Sequence, residues 1–200
     1  MSKILVIGAR GRAGSAAVAE AQNRGHSVVG VARTTSAGLV VGDVTDAGRV
    51  AELAVGCDAV IAGVYDGGSD PGEFFARAAR ALVDGLEKAD VRRLVWVGLA
   101  SILPTSDGTL LMDTEGYPRE YRSFFLAHQA VLDVFAASSL DWVSIAPTGD
   151  FDHADPSRQG RYRVAPADAR ELISYADFAV ALVDEVDHPE HHRAAIGVVV

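Results

Sequence analysis

Short aliphatic runs alternate along the chain with longer segments of helical pattern. Continuous apolar runs are typical of buried strands, and they occur at 3–7, 27–32, 39–41, 58–64, 93–97, 141–146 and 193–200. Alanine-rich stretches, or apolar residues three to four positions apart, predict helices at 12–24, 46–55, 73–88, 119–138 and 174–186. Strands that alternate with helices predict right-handed crossovers and a parallel sheet covered on both faces. We therefore expect an α/β fold: a doubly wound parallel sheet in three layers, with residues 1–200 as one domain.

Local signals set several helix ends. Gly25 is a plausible stop for the first helix, and Asp46 is suited to cap the second. Ser174 precedes Asp177 by three positions, which resembles a capping box at the start of the last helix. Two weakly patterned stretches, 101–118 and 148–172, follow the fifth and sixth long strands. Because ligands bind at the carboxyl ends of strands in such sheets, we expect both stretches to shape a pocket.

Composition narrows the class of protein. The chain has 200 residues, of which 49% are hydrophobic, and this is too apolar for a disordered chain. Cys57 is the only cysteine, which excludes a disulfide scaffold. No stretch approaches the roughly 20 apolar residues of a membrane helix, and the apolar start is too short for a signal peptide. We expect a cytoplasmic protein with no membrane partner.

Charge is unevenly distributed. The net charge of −9 disfavours nucleic acid as a partner, because phosphates require a basic face. Residues 1–50 nevertheless carry six Lys or Arg against three acids, which leaves −12 on the other 150 residues. A basic amino-terminal quarter in an acidic protein calls for a local explanation.

A glycine-rich turn supplies that explanation. It follows the first strand directly and opens the first helix, with the sequence GARGRAG. Gly8 permits the tight turn, Gly11 lets the backbone approach a pyrophosphate, and Gly14 lets helix and strand pack closely. The helix start then offers free N–H groups to phosphate. The turn predicts cofactor contacts from Gly8, Arg10, Gly11, Arg12, Ala13 and Gly14; a merely tight strand-to-helix turn is the alternative.

The residue at the end of the second strand indicates which dinucleotide binds. NAD sites usually place an acid there for the ribose hydroxyls, whereas this chain has Arg33. A guanidinium suits a 2′-phosphate, and Arg10 and Arg12 add positive charge. We therefore expect NADPH as the cofactor, with NADH possible. The alternative is that Arg33 is an ordinary solvated arginine.

Motifs along nearly the whole chain resemble the NAD(P)H-binding atypical short-chain dehydrogenase/reductases. The glycines are spaced G-x-x-G-x-x-G, as in the extended and atypical groups. The motifs that carry the resemblance are GARGRAG at 8–14, GDVTD at 42–46, CDAVI at 57–61, RLVWVG at 93–98, DTEGYPREY at 113–121 and SLDW at 139–142. The NADH-flavin reductase group is the most similar, and the biliverdin-IXβ reductase and NmrA-like proteins are more distant.

The resemblance implies further cofactor contacts after each strand. An Asp after the third strand commonly meets the adenine in such reductases, here Asp43 together with the backbone of Val44. Small residues after the fourth strand let the dinucleotide pass close by, and the segments after the fifth and sixth strands meet the nicotinamide or substrate. These expectations concern Ala62, Gly63, Val64, Gly98, Leu99, Pro147 and Thr148.

Catalytic residues are harder to identify. The Tyr-x-x-x-Lys pair of classical short-chain dehydrogenases is missing, because Tyr121 stands four residues after Tyr117 and no lysine follows Lys88. Candidate polar groups are Ser101, which follows the fifth strand, and Tyr121 with His128, which share a predicted helix face. The alternatives are a turn serine and a satisfied, partly buried histidine.

Three functions remain open from sequence. The first is a reductase that transfers hydride from NAD(P)H to a flavin or similar conjugated small molecule, because such acceptors depend less on a protein acid. The second is an NmrA-like dinucleotide sensor without turnover. The third is an atypical epimerase/dehydratase or a pathway-specific tailoring reductase. We expect no metal site, since the histidines of HPEHH at 188–192 lie in a polar turn, and nothing indicates an oligomeric state.

Overall fold

Ten strands and five helices make up the computed structural model, which describes residues 1–200. The strands are β1 (Lys3–Ile7), β2 (Ser27–Ala32), β3 (Val40–Val41), β4 (Ala59–Ala62), β5 (Arg93–Val97), β6 (Asp141–Pro147), β7 (Asp150–Phe151), β8 (Arg163–Val164), β9 (Leu172–Ile173) and β10 (Ala194–Val199). The helices are α1 (Arg12–Asn23), α2 (Ala47–Ala54), α3 (Pro71–Lys88), α4 (Arg122–Ala136) and α5 (Tyr175–Asp187).

Eight strands form one sheet in the order β3-β2-β1-β4-β5-β6-β10-β8. The chain runs outward from β1 to β3, then returns to β4 on the other side of β1 and continues outward. This reversal places a switch point between β1 and β4, where doubly wound sheets bind ligands. The predicted parallel, doubly wound sheet is confirmed. One strand departs from it, because β8 pairs antiparallel with β10 at the edge, and its two exposed residues gave no strand pattern.

Helices cover both faces of the sheet in a single three-layer domain. On one face α2, α3 and α4 pack side by side, with Phe75, Leu82 and Val131 in their core. On the other face α1 packs against α5, and Ala17 and Phe178 belong to a second core. Every residue of β4 is buried, which explains why its sequence is continuously apolar rather than alternating.

Side-chain caps set most helix starts. Asp46 accepts a hydrogen bond from the Arg49 N–H, and Ser174 accepts one from the Asp177 N–H, as the sequence predicts. α3 begins at Pro71, two residues earlier than predicted, because Asp70 caps it and proline suits the first helical position. α4 begins only at Arg122, so residues 119–121 precede the helix.

The two predicted loops, 101–118 and 148–172, contain short regular elements, and the second is bonded to neighbouring helices. The first contains two 3-10 turns, Ala100–Ile102 and Leu111–Asp113. In the second, β7 pairs with β9, Arg158 binds the buried carboxylate of Glu20 on α1, and the Gly160 N–H donates to Asp177 on α5. None of the five helices is long and apolar enough to cross a membrane.

Candidate functional site

A cleft of about 440 Å³ opens at the carboxyl ends of β1, β2 and β4. This is the switch point of the sheet, where the sequence predicts the cofactor. The predicted residues that line the cleft are Gly8, Arg10, Gly11, Arg33, Val44, Gly63 and Val64. Seven further residues complete the wall: Ile7, Val31, Ala32, Thr34, Gly42, Tyr65 and Phe74.

Three glycines of the turn are needed for different reasons. Gly8 has φ +87°, and a Cβ there would lie 2.0 Å from the carbonyl oxygen of Gly63, so the turn touches the end of β4. A Cβ on Gly14 would lie 2.2 Å from the carbonyl oxygen of Gly8, so α1 packs directly on the turn. Gly11 is exposed, and its Cβ would meet only one atom, at 3.2 Å. Gly8 and Gly14 therefore build the turn, and Gly11 leaves space above it.

The amino terminus of α1 is open. Its N-cap residue is Gly11, no side chain caps it, and the first turn holds no acid. By contrast, α2, α3 and α5 are each capped by a side-chain oxygen. Unpaired N–H groups and the partial positive charge of a helix start favour an anion. The backbone of Arg12 and Ala13, at this start, is thus placed to meet a phosphate that enters the cleft.

The three arginines near the turn do not act together. Arg10 lies in the cleft, and its guanidinium donates to the Thr34 hydroxyl at 2.8 Å. Arg33 also lies in the cleft and forms an ion pair with Asp66 at 2.8 Å. The Arg12 side chain turns away and lies 2.9 Å from His153 Nδ1. The expectation that Arg12 adds its side-chain charge to the cleft is therefore not met, because the loop after β6 holds it.

The residues after β3 form an apolar end of the cleft. Val44 is buried in its wall, and Phe74 of α3 and the exposed ring of Tyr65 line the same end. Asp43 lies just outside, where its carboxylate accepts hydrogen bonds from the N–H and hydroxyl of Thr45. It lines a side cavity of about 130 Å³ that shares Arg33 and Phe74 with the cleft.

The carboxyl ends of β4, β5 and β6 lie side by side, next to the cleft. Ala62 is fully buried and ends β4, beside β5. A Cβ on Gly98 would lie 2.3 Å from Ser144 Oγ, so a larger residue there would require the serine side chain to move. Leu99 is half-buried, and Pro147 is the last residue of β6. Thr148 is buried, and its hydroxyl has no hydrogen-bond partner within the protein.

A pair of hydroxyl groups, Ser101 and Tyr117, stands beyond β5 and outside the lining of the cleft. Ser101, in the 3-10 turn that follows this strand, is 2% exposed, and its Oγ lies 2.9 Å from the Tyr117 hydroxyl. The Tyr117 ring packs against Phe125 at 5.6 Å between ring centroids. Sequence reasoning selected Ser101 but passed over Tyr117, because no lysine follows it four residues later. The signal that could have found Tyr117 is a tyrosine placed after the fifth strand and its serine.

Tyr121 and His128 are not brought together, which corrects the expectation that both border the pocket. Tyr121 precedes α4, its ring is 59% exposed, and neither residue lines the cleft. Seven helical residues correspond to about 10 Å along the axis, so a shared face does not place two side chains in one site. His128 instead lies deep between α3 and α4.

His128 belongs to the core. Its ring lies 4.2 Å from that of Phe75 and 4.8 Å from that of Phe124, and its Nδ1 has no hydrogen-bond partner. Burial alone lowers the pKa of His128 to about 4. The imidazole is therefore neutral at physiological pH and packs as an aromatic ring.

The carboxyl-terminal histidines take part in surface pairs. His191 contacts the buried carboxylate of Glu185, which also binds Arg93, and His192 lies 2.8 Å from Asp141. His188 is exposed. No three potential metal ligands lie close together in the chain.

The cleft fits a nicotinamide dinucleotide. Along one edge of the sheet it combines a glycine left open at Gly11, an uncapped helix start, two arginines and an apolar end. Five strand ends, from β2 to β6, stand side by side, which spans about 19 Å at the usual strand spacing. The residues that would hold the dinucleotide thus lie in the order of its parts, from Arg33 through the glycine turn to Pro147.

Known proteins are similar to this chain in sequence and in fold. Residues 8–189 match the family model described as NAD(P)H-binding. YwnB of Bacillus subtilis (strain 168) is 34% identical over 214 residues, which cover 98% of each chain. A Burkholderia pseudomallei protein named as a possible exported protein has 32% identity, full coverage of both chains and a TM-score of 0.87. A candidate NADH-flavin reductase of Streptococcus pneumoniae has 26% identity over 100% of this chain and 99% of that one, with a TM-score of 0.85.

These similarities agree with the open glycine turn at the switch point of the sheet and with the predicted resemblance to atypical short-chain reductases. Since the family model spans most of the sequence, the chain belongs to the NAD(P)H-binding family.

Proposed function

We propose that the protein is a reductase that transfers hydride from NADPH to a flavin or a similar flat, conjugated small molecule. The observation that carries this proposal is the Ser101–Tyr117 hydroxyl pair beyond β5, joined to the cleft by a row of aromatic rings. When bound, the dinucleotide supplies the hydride. The protein binds and orients both partners and offers hydrogen bonds to the acceptor.

The choice of NADPH rests on the charge at the adenosine end of the cleft. Arg10 and Arg33 both lie there, and the Thr34 hydroxyl stands beside Arg10. Guanidinium groups bind a phosphate with paired, charge-assisted hydrogen bonds. A 2′-phosphate on the adenosine ribose is the part of NADPH that would use them.

The choice of acceptor rests first on what surrounds Tyr117. The chain has two lysines, Lys3 at the start of β1 and Lys88 at the end of α3. Both lie near the amino-terminal ends of the parallel strands, whereas the cleft lies at their carboxyl ends, so no lysine ammonium group assists Tyr117. Reduction of a simple ketone requires a strong proton donor at the new alkoxide. A conjugated ring accepts hydride at a ring atom and takes its proton from solvent, so a hydrogen-bonding hydroxyl pair suffices.

Aromatic rings also favour a flat acceptor. Tyr65 lines the cleft and meets Phe124 edge-on, with ring centroids 5.7 Å apart. Phe124 meets Phe125, and Phe125 meets Tyr117. The row leads from the cleft to the hydroxyl pair. Phe125 is buried within it, whereas the exposed ring of Tyr65 and the half-buried ring of Phe124 offer a planar ring system a surface for stacking.

Stopped-flow oxidation of NADPH with FMN, riboflavin and quinones tests the proposal. We expect at least one acceptor to be reduced faster than in the absence of protein. Tyr117→Phe should lower kcat about tenfold, the effect of one lost hydrogen bond in the transition state. Tyr162→Phe is the matched control, because Tyr162 lies with Asp184 of α5 in a separate surface pocket that shares no residue with the cleft. No acceleration with any acceptor would contradict the proposal.

A dinucleotide sensor is the second candidate, favoured by the absence of a lysine near Tyr117. A sensor would bind NADPH and NADP⁺ with different affinities and catalyse no turnover. Isothermal titration with both forms, beside the acceptor screen, separates the two functions. Epimerase or tailoring chemistry would show as turnover of other substrates. A cytoplasmic location stays a prediction, and the Burkholderia relative is named as a possible exported protein.

A further inference from the structure

An acidic group stands next to Arg33, although the sequence shows none at the end of β2. Asp66, in the segment between β4 and α3, places its Oδ2 2.8 Å from Arg33 Nη1. The two residues are 33 positions apart, and they meet because β4 and β2 flank β1 on its two sides. The fold therefore brings to this position the kind of group that sequence reasoning finds missing.

Asp66 is held in place by its own loop. Its carboxylate accepts hydrogen bonds from the Ser69 hydroxyl at 2.8 Å and from the Gly68 N–H at 3.1 Å. These bonds, Ser69 first and then Arg33, lower the pKa of Asp66. Its side chain is 22% exposed, against 52% for Arg33. The carboxylate is thus a negative charge fixed by its own loop, and Arg33 is the more exposed partner.

The pair stands at the adenosine end of the cleft. Both residues line the side cavity of about 130 Å³, and Arg33 also lines the main cleft. Arg77 lies in the same side cavity, where it donates to the Thr45 hydroxyl at 3.3 Å. A ribose at this end would meet one carboxylate and one guanidinium together.

We propose that Asp66 determines cofactor specificity by limiting the preference for NADPH and permitting the use of NADH. Its carboxylate can accept hydrogen bonds from the ribose hydroxyls of NADH. The same charge repels a 2′-phosphate and competes with it for Arg33. Removal of the charge therefore weakens NADH and strengthens NADPH, and both effects move the affinity ratio in one direction. This inference rests on the proposed dinucleotide binding.

Dissociation constants of NADPH and NADH, measured by isothermal titration, test the inference. In Asp66→Asn the amide oxygen can still accept from the Gly68 N–H, and the amide NH2, in place of Oδ2, can donate to the Ser69 hydroxyl oxygen, so the loop should keep its shape. We expect the ratio Kd(NADH)/Kd(NADPH) to rise about threefold or more, and the rise to shrink at high salt. Asp187→Asn is the matched control: Asp187 is 20% exposed and pairs with Arg24 at 3.2 Å at the end of α5, where neither residue lines the cleft, so the ratio should stay unchanged.

Asp66→Ser, which is smaller and also uncharged, provides a second variant, and thermal unfolding shows whether each variant is folded. An unchanged or lower ratio in folded Asp66→Asn and Asp66→Ser would overturn the inference, while binding by the wild type would leave the proposed function intact. If the wild type bound neither dinucleotide, the proposed function itself would fail.

Discussion

Gly11 and Gly14 stand three residues apart in one turn, yet we expect substitution of Gly14 to lower stability and substitution of Gly11 to weaken dinucleotide binding. A Cβ on Gly14 would lie 2.2 Å from the Gly8 carbonyl oxygen and 2.7 Å from its carbonyl carbon, well inside van der Waals contact. Both atoms belong to the backbone, so relief requires a shift of α1 or of the turn by about 1 Å. Overpacking of this kind costs about 1–3 kcal/mol or more. For a chain of this size that corresponds to a melting temperature lower by about 2–10 °C.

Gly11 is different because it has room and an ordinary backbone. Its φ of −70° and ψ of 163° are open to any residue, and a Cβ would meet one atom at 3.2 Å. Gly11→Ala should therefore change the free energy of unfolding by less than about 1 kcal/mol. A side chain there would occupy the space of a pyrophosphate, and we expect the Kd of NADPH to rise at least about 100-fold in Gly11→Val.

Thermal unfolding and isothermal titration on the same samples separate the two effects. Gly14→Ala should unfold at a lower temperature. Gly11→Ala and Gly11→Val should melt near the wild type, and Gly11→Val should bind NADPH at least about 100-fold more weakly. Gly48→Ala, on α2 and away from the cleft, serves as a control for both assays. Wild-type affinity in Gly11→Val would refute a phosphate path over this glycine. Wild-type stability in Gly14→Ala would refute the packing of the turn.

Three further predictions concern buried ionisable groups. Burial holds the pKa of His128 near 4, well below its value in the unfolded chain, so the unfolded chain takes up a proton first as the pH falls. The wild type should therefore lose up to about 3 kcal/mol of its free energy of unfolding between pH 6.5 and pH 4. Denaturant unfolding of His128→Phe should lack this part of the pH dependence. Glu185→Ala should cost about 1–3 kcal/mol in the same assay, because it removes the buried partner of Arg93 and leaves only the more exposed Asp141 carboxylate and two backbone carbonyls. No measurable loss would contradict this. Glu20→Ala should release Arg158 and make the loop after β6 more sensitive to limited proteolysis, with Glu52→Ala as the control.

Local patterns in the sequence were sufficient for most of the fold. β1, β2 and β5 occupy the predicted residues, since a buried parallel strand is apolar throughout and ends abruptly. Helix caps were equally local, because a capping side chain bonds an N–H only three residues away. β8 could not be found in this way, because its pairing with β10 is a contact across more than 30 residues.

The site residues also differ in whether local sequence was sufficient to predict them. The glycine turn was predictable, since strand, turn and helix start are contiguous in sequence. Tyr117 and Asp66 were not, because each acquires its role from a partner at least 16 residues away. Tyr121 and His128 were misplaced for a related reason: spacing on a helix gives the face of a side chain but not its depth along the axis. His128 faces the protein interior, as expected, and packs into the core instead of the pocket.

Distribution of charge explains how an acidic protein can hold a cofactor rich in phosphate. At physiological salt the screening length is about 8 Å, so the −12 carried by residues 51–200 acts weakly on a ligand in the cleft. What counts is the set of groups within that distance. The positive charge of Arg10 is not neutralised, because its partner is the Thr34 hydroxyl. The charge of Arg33 is offset by the Asp66 carboxylate, and the Arg12 side chain points away from the cleft to His153. The basic amino-terminal quarter is thus less positive at the cofactor than its sequence suggests. Cofactor preference then depends on one ion pair, which the Asp66 variants address directly.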